Sequence, residues 1–440
     1  MSTTQPHQQE PHQFPLSTAQ LSCLCGTVKE PGTLLVPSGQ SKTFPVASHM
    51  CHCNSCRYVT GNILLSGPAL TTSPSRASLA HCTAYATSAQ FVRYFCTTCG
   101  CHCFTQNMAI ARKELDVTTD PSSASSCPDE AKIESDDEEP EWYTNSGLIE
   151  RDPAQIEADA PWATDLVNTL SHMFIADTLD GGIVPRLSNP ASTKIPLFMD
   201  GYSDEATSPG SATSLESVLQ LRLNNSKSTS PSSTASSSCL KAACHCGSVK
   251  LSIRRPDYAV DTQGVPARYI AEHATTKYPA WFCACRSDRT GNGAWFAQPW
   301  TYIPPANITF TFPVDDDDDP EGDERQVTVA DVFQLSSSSS SPPNLPSGSP
   351  STATATAKEA VSARLSQHRS STSTTRSFCR TCGATVFYMH DERPSVVNVA
   401  VGILRADDGA LASDWLDWVP GRVVCPEETT ERTLLRALLG

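Results

Sequence analysis

The chain has 440 residues, 19 Cys, a formal net charge of −15 and 39% hydrophobic residues, enough for two or three domains with buried cores. No apolar run approaches the roughly 18 residues that a membrane span requires. The opening MSTTQPHQQEPHQF lacks the basic-then-apolar order of a signal peptide, so a cytoplasmic protein with no membrane partner is expected, with a nuclear one as the alternative. In such a reducing compartment cysteines serve as metal ligands or reactive thiols rather than as disulfides.

The acidity is confined to residues 129–141 and 315–324, each of which carries eight Asp or Glu. Outside these runs acids and bases balance, and no basic stripe is present of the kind a phosphate backbone needs, so nucleic acid is not expected as a partner. The aspartates at 315–319 read as a solvated, self-repelling run and carry no site. Residues 121–141, 206–238 and 336–376 are rich in Ser, Thr, Pro and acids and poor in apolar periodicity, and read as disordered inserts or linkers.

Residues 34–36, 61–65, 309–312 and 396–401 are β-branched and aromatic runs bounded by Gly, Pro or Ser, and read as strands. Helical amphipathic periods are confined to residues 160–170 and the tail after Glu427. A mainly β architecture held by small metal sites follows. The expected organisation is a disordered 1–17, a first domain at 18–205 with an insert at 121–141, and a Ser-rich linker at 206–238. A second domain at 239–426 carries an insert at 314–376, and a tail spans 427–440.

The cysteines fall into three blocks that occur twice. The first half reads Cys23-Leu-Cys25-Gly26, then Cys51-His-Cys53-Asn-Ser-Cys56-Arg57 with Thr60-Gly61-Asn62, then Phe95-Cys96-Thr-Thr-Cys99-Gly100. The second reads Cys244-His-Cys246-Gly247, then Cys283-Ala-Cys285-Arg-Ser-Asp288-Arg289 with Thr290-Gly291-Asn292, then Phe378-Cys379-Arg-Thr-Cys382-Gly383. The same order twice implies a tandem duplication. In each half the outer blocks offer four thiolates, the ligand set of a closed tetrahedral zinc site: Cys23, Cys25, Cys96 and Cys99, then Cys244, Cys246, Cys379 and Cys382. Cys101 and Cys103 extend the first knuckle and leave other ligand choices open there. Cys82, Cys127, Cys239 and Cys425 have no assignable partner.

The middle block is different in kind. Cys51, Cys53 and Cys56 supply three thiolates and leave a fourth position for water or substrate, as in a catalytic zinc site. His49 or His52 as a fourth ligand would make the site structural instead. In the second half Asp288 stands where Cys56 does, giving a Cys283, Cys285 and Asp288 set that is harder and weaker for zinc. A degenerate, structural second domain is expected, unless Asp288 or a neighbour such as Asp261 or His273 completes a working site.

These blocks, in this order, resemble the glutathione-dependent formaldehyde-activating enzyme and centromere protein V family. The resemblance covers about residues 18–200 and 240–425, and its tandem form with Ser-rich inserts is similar to fungal members. It implies two tandem Mss4-like zinc-binding β domains, with a structural zinc on each four-cysteine set and a catalytic zinc on Cys51, Cys53 and Cys56. It also implies carbon-sulfur lyase activity on adducts of a glutathione-like thiol with an aldehyde. Residues 172–182 and 397–404 look like the two domains' C-terminal strands. Arg57, beside the three-thiol site, is a candidate for orienting a substrate carboxylate through its bidentate fork. The competing expectation is a non-catalytic zinc scaffold that binds a protein partner through its flexible inserts.

Overall fold

The computed structural model describes residues 16–36, 44–108, 140–150, 165–187, 195–201, 212–228, 238–261, 264–271, 274–313, 324–335 and 352–439. The period-two patterns close into antiparallel ladders. Leu16–Ser22 buries Ala19 and Leu21 on one face and pairs with Lys29–Leu35 across the Cys23-to-Gly26 turn. These two strands belong to an eight-stranded sheet that continues through Ala69–Leu70, Glu141–Thr144, His102–Asn107, Phe91–Cys96 and Cys82–Ala86, with Ile149–Glu150 at its other edge. A three-stranded sheet sets Val46–Cys51 between Val167–Met173, in parallel, and Leu65–Ser66.

The second half repeats the parts in a five-stranded and a seven-stranded sheet. The five-stranded sheet contains Cys239–Ala243 and Lys250–Arg254. The seven-stranded sheet runs from Leu365–Ser371 through Thr374–Cys379, Thr385–His390, Val397–Ala400 and Gln298–Ile303 to Tyr278–Cys283, which pairs in parallel with Leu416–Val424. The chain is mainly β, as expected.

Several expectations are corrected. Residues 167–170 lie in a strand rather than a helix, because alternate residues Val167 and Thr169 are buried against Val46–Cys51. Residues 61–64 form the exit of a helix, and only Leu65–Ser66 is strand. Residues 324–335 and 352–376, read as part of the insert at 314–376, form the strand Glu324–Thr328, the helix Val329–Phe333, the helix Thr352–Arg364 and the strand Leu365–Ser371. That strand's Ser/Thr-rich backbone is satisfied by pairing with Thr374–Cys379, while Val361 and Leu365 anchor it in the core. Within the supposed linker, Leu215–Ser228 is helical and packs Val218 against Ile175 and Val184. The tail does form a helix, Arg432–Leu439, but it is no appendage. Leu434, Leu435 and Ala437 enter a core shared by Met50, Val59 and Leu64 of the first half and Phe282, Trp295 and Ile403 of the second. The parts of the expected inserts at 121–139, 314–323 and 336–351 lie outside the described residues, as do residues 1–15 and Cys127.

Two alignments also shift. The helices Asn54–Thr60 and Arg286–Asn292 start from the N-caps Cys53 and Cys285 and end at the left-handed Gly61 and Gly293, so Gly61 matches Gly293 rather than Gly291. The strand, 3₁₀ turn and strand at 397–405 match residues 141–150, whereas Val167–Met173 matches Leu416–Val424.

The halves touch through reciprocal contacts. Gly402 N–H donates to Gly61 C=O at 3.1 Å, and Gly147 N–H donates to Gly293 C=O at 2.8 Å. Leu24 N–H donates to Thr290 C=O, and His245 N–H donates to Tyr58 C=O. Phe95 and Phe378 meet edge to face with centroids 6.5 Å apart.

Candidate metal centres

Each hairpin turn brings its outer cysteines to the opposite knuckle. The Sγ atoms of Cys23, Cys25, Cys96 and Cys99 all lie within 4.8 Å of one another, as do those of Cys244, Cys246, Cys379 and Cys382. Cys23 and Cys25 are 3.5 Å apart and Cys25 and Cys96 3.6 Å; the matching separations in the second half are 3.4 and 3.5 Å. Four thiolates about 2.3 Å from one zinc ion would sit about 3.8 Å apart, so both sets fit that ion. Around them the amides of Val28 and Val249 donate to Cys23 and Cys244 Sγ at 3.4 Å, and the hydroxyls of Thr27 and Ser248 lie 3.1 Å from Cys25 and Cys246 Sγ. Such contacts orient thiolate ligands and offset their charge. Cys101 and Cys103 are buried nearby but stay outside the first set.

The middle blocks sit where a strand hands over to a helix. Cys51 ends its strand, Cys53 is the helix N-cap, and Cys56 N–H donates to Cys53 Sγ at 3.3 Å. The three sulfurs lie within 4.8 Å of one another, and among the described residues no His, Asp or Glu joins them. His52 turns away into the core, where its Nε2 lies 2.9 Å from His172 Nδ1 and burial pushes its pKa well down; His49 Nδ1 lies 2.7 Å from Ser171 Oγ. Neither supplies the fourth ligand. Sequence reasoning missed Arg93, whose Nη2 donates to Cys56 Sγ at 3.2 Å and whose Nη1 donates to Thr105. Hydrogen bonds from the Cys51 and Cys53 thiols, followed by Arg93, hold the Cys56 thiol well below its usual range.

Cys283, Cys285 and Asp288 form the equivalent cluster. Arg376, three residues before Cys379 as Arg93 is before Cys96, donates to Asp288 Oδ1 at 2.5 Å, and Trp300 Nε1 donates to Oδ2 at 3.0 Å. Asp261 instead pairs with Arg254, and His273 lies outside the described residues. Cys425 comes near Glu427 and Glu428, forming a further cluster with metal-compatible spacing.

Arg57 is buried, donates to Asn54 Oδ1 at 3.1 Å, and lines a cavity of about 300 Å³ with Tyr58 and Asp177; its Nε has no partner among the described residues. Its counterpart Arg289 is spent on Gly147 C=O, Ile149 C=O and the Glu150 carboxylate. Where the first half has Glu150, the second has Arg405, which lies over the Tyr58 ring. Burial first, and then Arg57, push the Arg405 pKa down to about 10, while Tyr58 opposes the shift.

No match was found among curated proteins or among solved structures. A family model described as glutathione-dependent formaldehyde-activating enzyme matches residues 18–132, a span that contains the first four-cysteine set, the three-thiol cluster and Arg57. Over residues 18–132 the chain is thus similar to the glutathione-dependent formaldehyde-activating enzyme family.

Proposed function

We propose that the first half is a zinc-dependent carbon-sulfur lyase acting on adducts of a glutathione-like thiol with a small aldehyde. The observation that carries this is the three-thiol cluster at Cys51, Cys53 and Cys56 with no fourth protein ligand among the described residues. These cysteines would hold the reactive zinc, and the two four-cysteine sets would hold structural zinc. A zinc ion with one open position supplies Lewis acidity and lowers the pKa of a thiol or water that it binds.

The chain's own residues supply charge and orientation. Arg93 places a guanidinium against Cys56 Sγ and offsets its negative charge. Arg57, whose Nε has no partner among the described residues and which lines the adjoining cavity, receives a carboxylate of the thiol substrate. In the forward direction the thiolate sulfur attacks the aldehyde carbon and forms the C–S bond, and the carbonyl oxygen takes up the proton the thiol gave. The reverse reaction breaks that bond.

The scaffold reading is favoured for the second half, which we infer to be a diverged copy of the same domain. Both oxygens of Asp288 are engaged by Arg376 and Trp300, so the third ligand of its open site is already committed. The test is turnover by the purified, zinc-loaded full chain of glutathione with formaldehyde, followed by a panel of other thiol and aldehyde adducts. Activity lost in Cys56→Ala and a raised KM in Arg57→Ala are expected. Absence of turnover across the panel would refute the reading.

A further inference from the structure

Beside Asp288 the second half opens a cavity of about 630 Å³, within the size range of small-molecule sites. One wall is aromatic. Trp281 and Tyr302 stack with centroids 3.8 Å apart and planes 23° apart, and Tyr269 continues the stack 5.0 Å from Tyr302. The cavity rim is cationic: Arg268, Arg376, Arg393 and Arg422 line it against two carboxylates, Asp288 and Glu392, and Asp288 is already paired with Arg376. Arg422 lies 3.9 Å above the Trp281 ring, and Arg393 lies 5.2 Å from that of Tyr269. Three buried polar atoms of lining residues lack partners among the described residues, the donors Trp281 Nε1 and Arg376 Nε and the acceptor Asn398 Oδ1, and a natural core seldom leaves such groups unmade.

None of this follows from the shared fold. Trp281 stands two residues before Cys283, where the first half has His49 before Cys51, and Tyr388 faces Arg376 across the hairpin where Thr105 faces Arg93. The aromatic wall is thus particular to the half whose metal ligand set is impaired. An aromatic ring packs against the wall of Tyr269, Trp281 and Tyr302, whose Trp281 faces are already covered by Tyr302 and Arg422, a negative group finds the surplus guanidiniums and the Trp281 N–H, and a ring hydroxyl would satisfy Asn398.

We propose that this cavity binds an aromatic carboxylate, a function separate from the first half's reaction. Isothermal titration calorimetry of the zinc-loaded full chain with 4-hydroxybenzoate, benzoate, cyclohexanecarboxylate and inorganic phosphate tests it. Saturable binding of 4-hydroxybenzoate at one site per chain is expected, with benzoate weaker and cyclohexanecarboxylate weaker still. Arg393→Ala with Arg422→Ala should weaken binding by about tenfold or more, and Arg422→Gln alone should weaken it less, with unchanged thermal melts confirming the fold of each variant. No saturable heat with either aromatic acid, equal binding of cyclohexanecarboxylate or phosphate, or an Arg393/Arg422 variant that binds as the parent does would overturn the proposal. The measurement reads binding alone, so its failure leaves the first half's turnover untouched, and the reverse also holds.

Discussion

Gly402→Ala probes how the second half supports the first half's site. A Cβ at Gly402 would lie 2.1 Å from Asn62 O and 2.4 Å from Gly61 C, both backbone atoms at the end of the helix Asn54–Thr60. Backbone cannot swing aside as a side chain can, so the turn must retreat and the Gly402-to-Gly61 hydrogen bond is lost. Overpacking costs about 1–3 kcal/mol and the bond about 1 kcal/mol, so a loss of about 2–4 kcal/mol is expected. For a chain of this size that lowers the urea midpoint by about 1 M. Gly147→Ala, whose Cβ would lie 2.4 Å from Gly293 O, should cost a similar amount. Gly26→Ala is the control: its φ of +74° is strained for alanine but no atom of the described residues lies within 4 Å of its Cβ position, so only about 1–2 kcal/mol of backbone strain applies. Function should separate the pair. Gly402 presses on the helix that begins with Cys53 and Cys56, so Gly402→Ala should also depress first-half turnover, whereas Gly147 presses on the helix of Asp288 and should spare it. Midpoints for Gly402→Ala and Gly147→Ala no lower than that of Gly26→Ala would refute the argument.

Metal analysis of protein purified without added zinc should find about three ions per chain, two in the first half and one in the second; one or fewer would sink the four-cysteine assignments. Cys96→Ala should lower the melting temperature far more than Cys56→Ala, since a structural ligand carries part of a binding energy of order 10 kcal/mol; equal losses in thermal melts would contradict the distinction. Arg405→Glu should give Arg57 the ion-pair partner that Glu150 gives Arg289, raising KM for a carboxylate-bearing thiol without lowering stability, and an unchanged KM would remove Arg57 from substrate binding. Burial, with Asp165 adding to it, raises the Glu431 pKa well above its usual value. A raised acid pKa contributes stability below the ordinary value of about 4.5 and loses it as pH rises, so the melting-temperature gain of Glu431→Gln should widen from pH 5 to pH 8; a pH-independent gain would refute it.

The sequence by itself determined which thiols gather into clusters. Metal-ligating cysteines declare themselves by short spacings, because Cys-x-Cys turns and Cys-x-x-Cys knuckles are local geometries, and the two four-cysteine sets and the three-thiol cluster assembled from the residues that spacing had singled out. The strands at 309–312 and 396–401 were legible for the same local reason. Arg93 was not, because nothing near it in the chain marks it; a strand register brings it to Cys56 across 37 positions. Composition misled at 352–376, where serines and threonines lie in an edge strand held by its ladder bonds and by Leu365 in the core. The helical period read at 160–170 gave way, from Val167 on, to a parallel pairing with a strand more than a hundred residues away. The cavity beside Asp288 and the difference between Arg57 and Arg289 also needed the tertiary structure. Each depends on which residue a distant strand or turn sets opposite, Glu150 or Arg405, Thr105 or Tyr388, and long-range pairing leaves no periodic trace in the sequence.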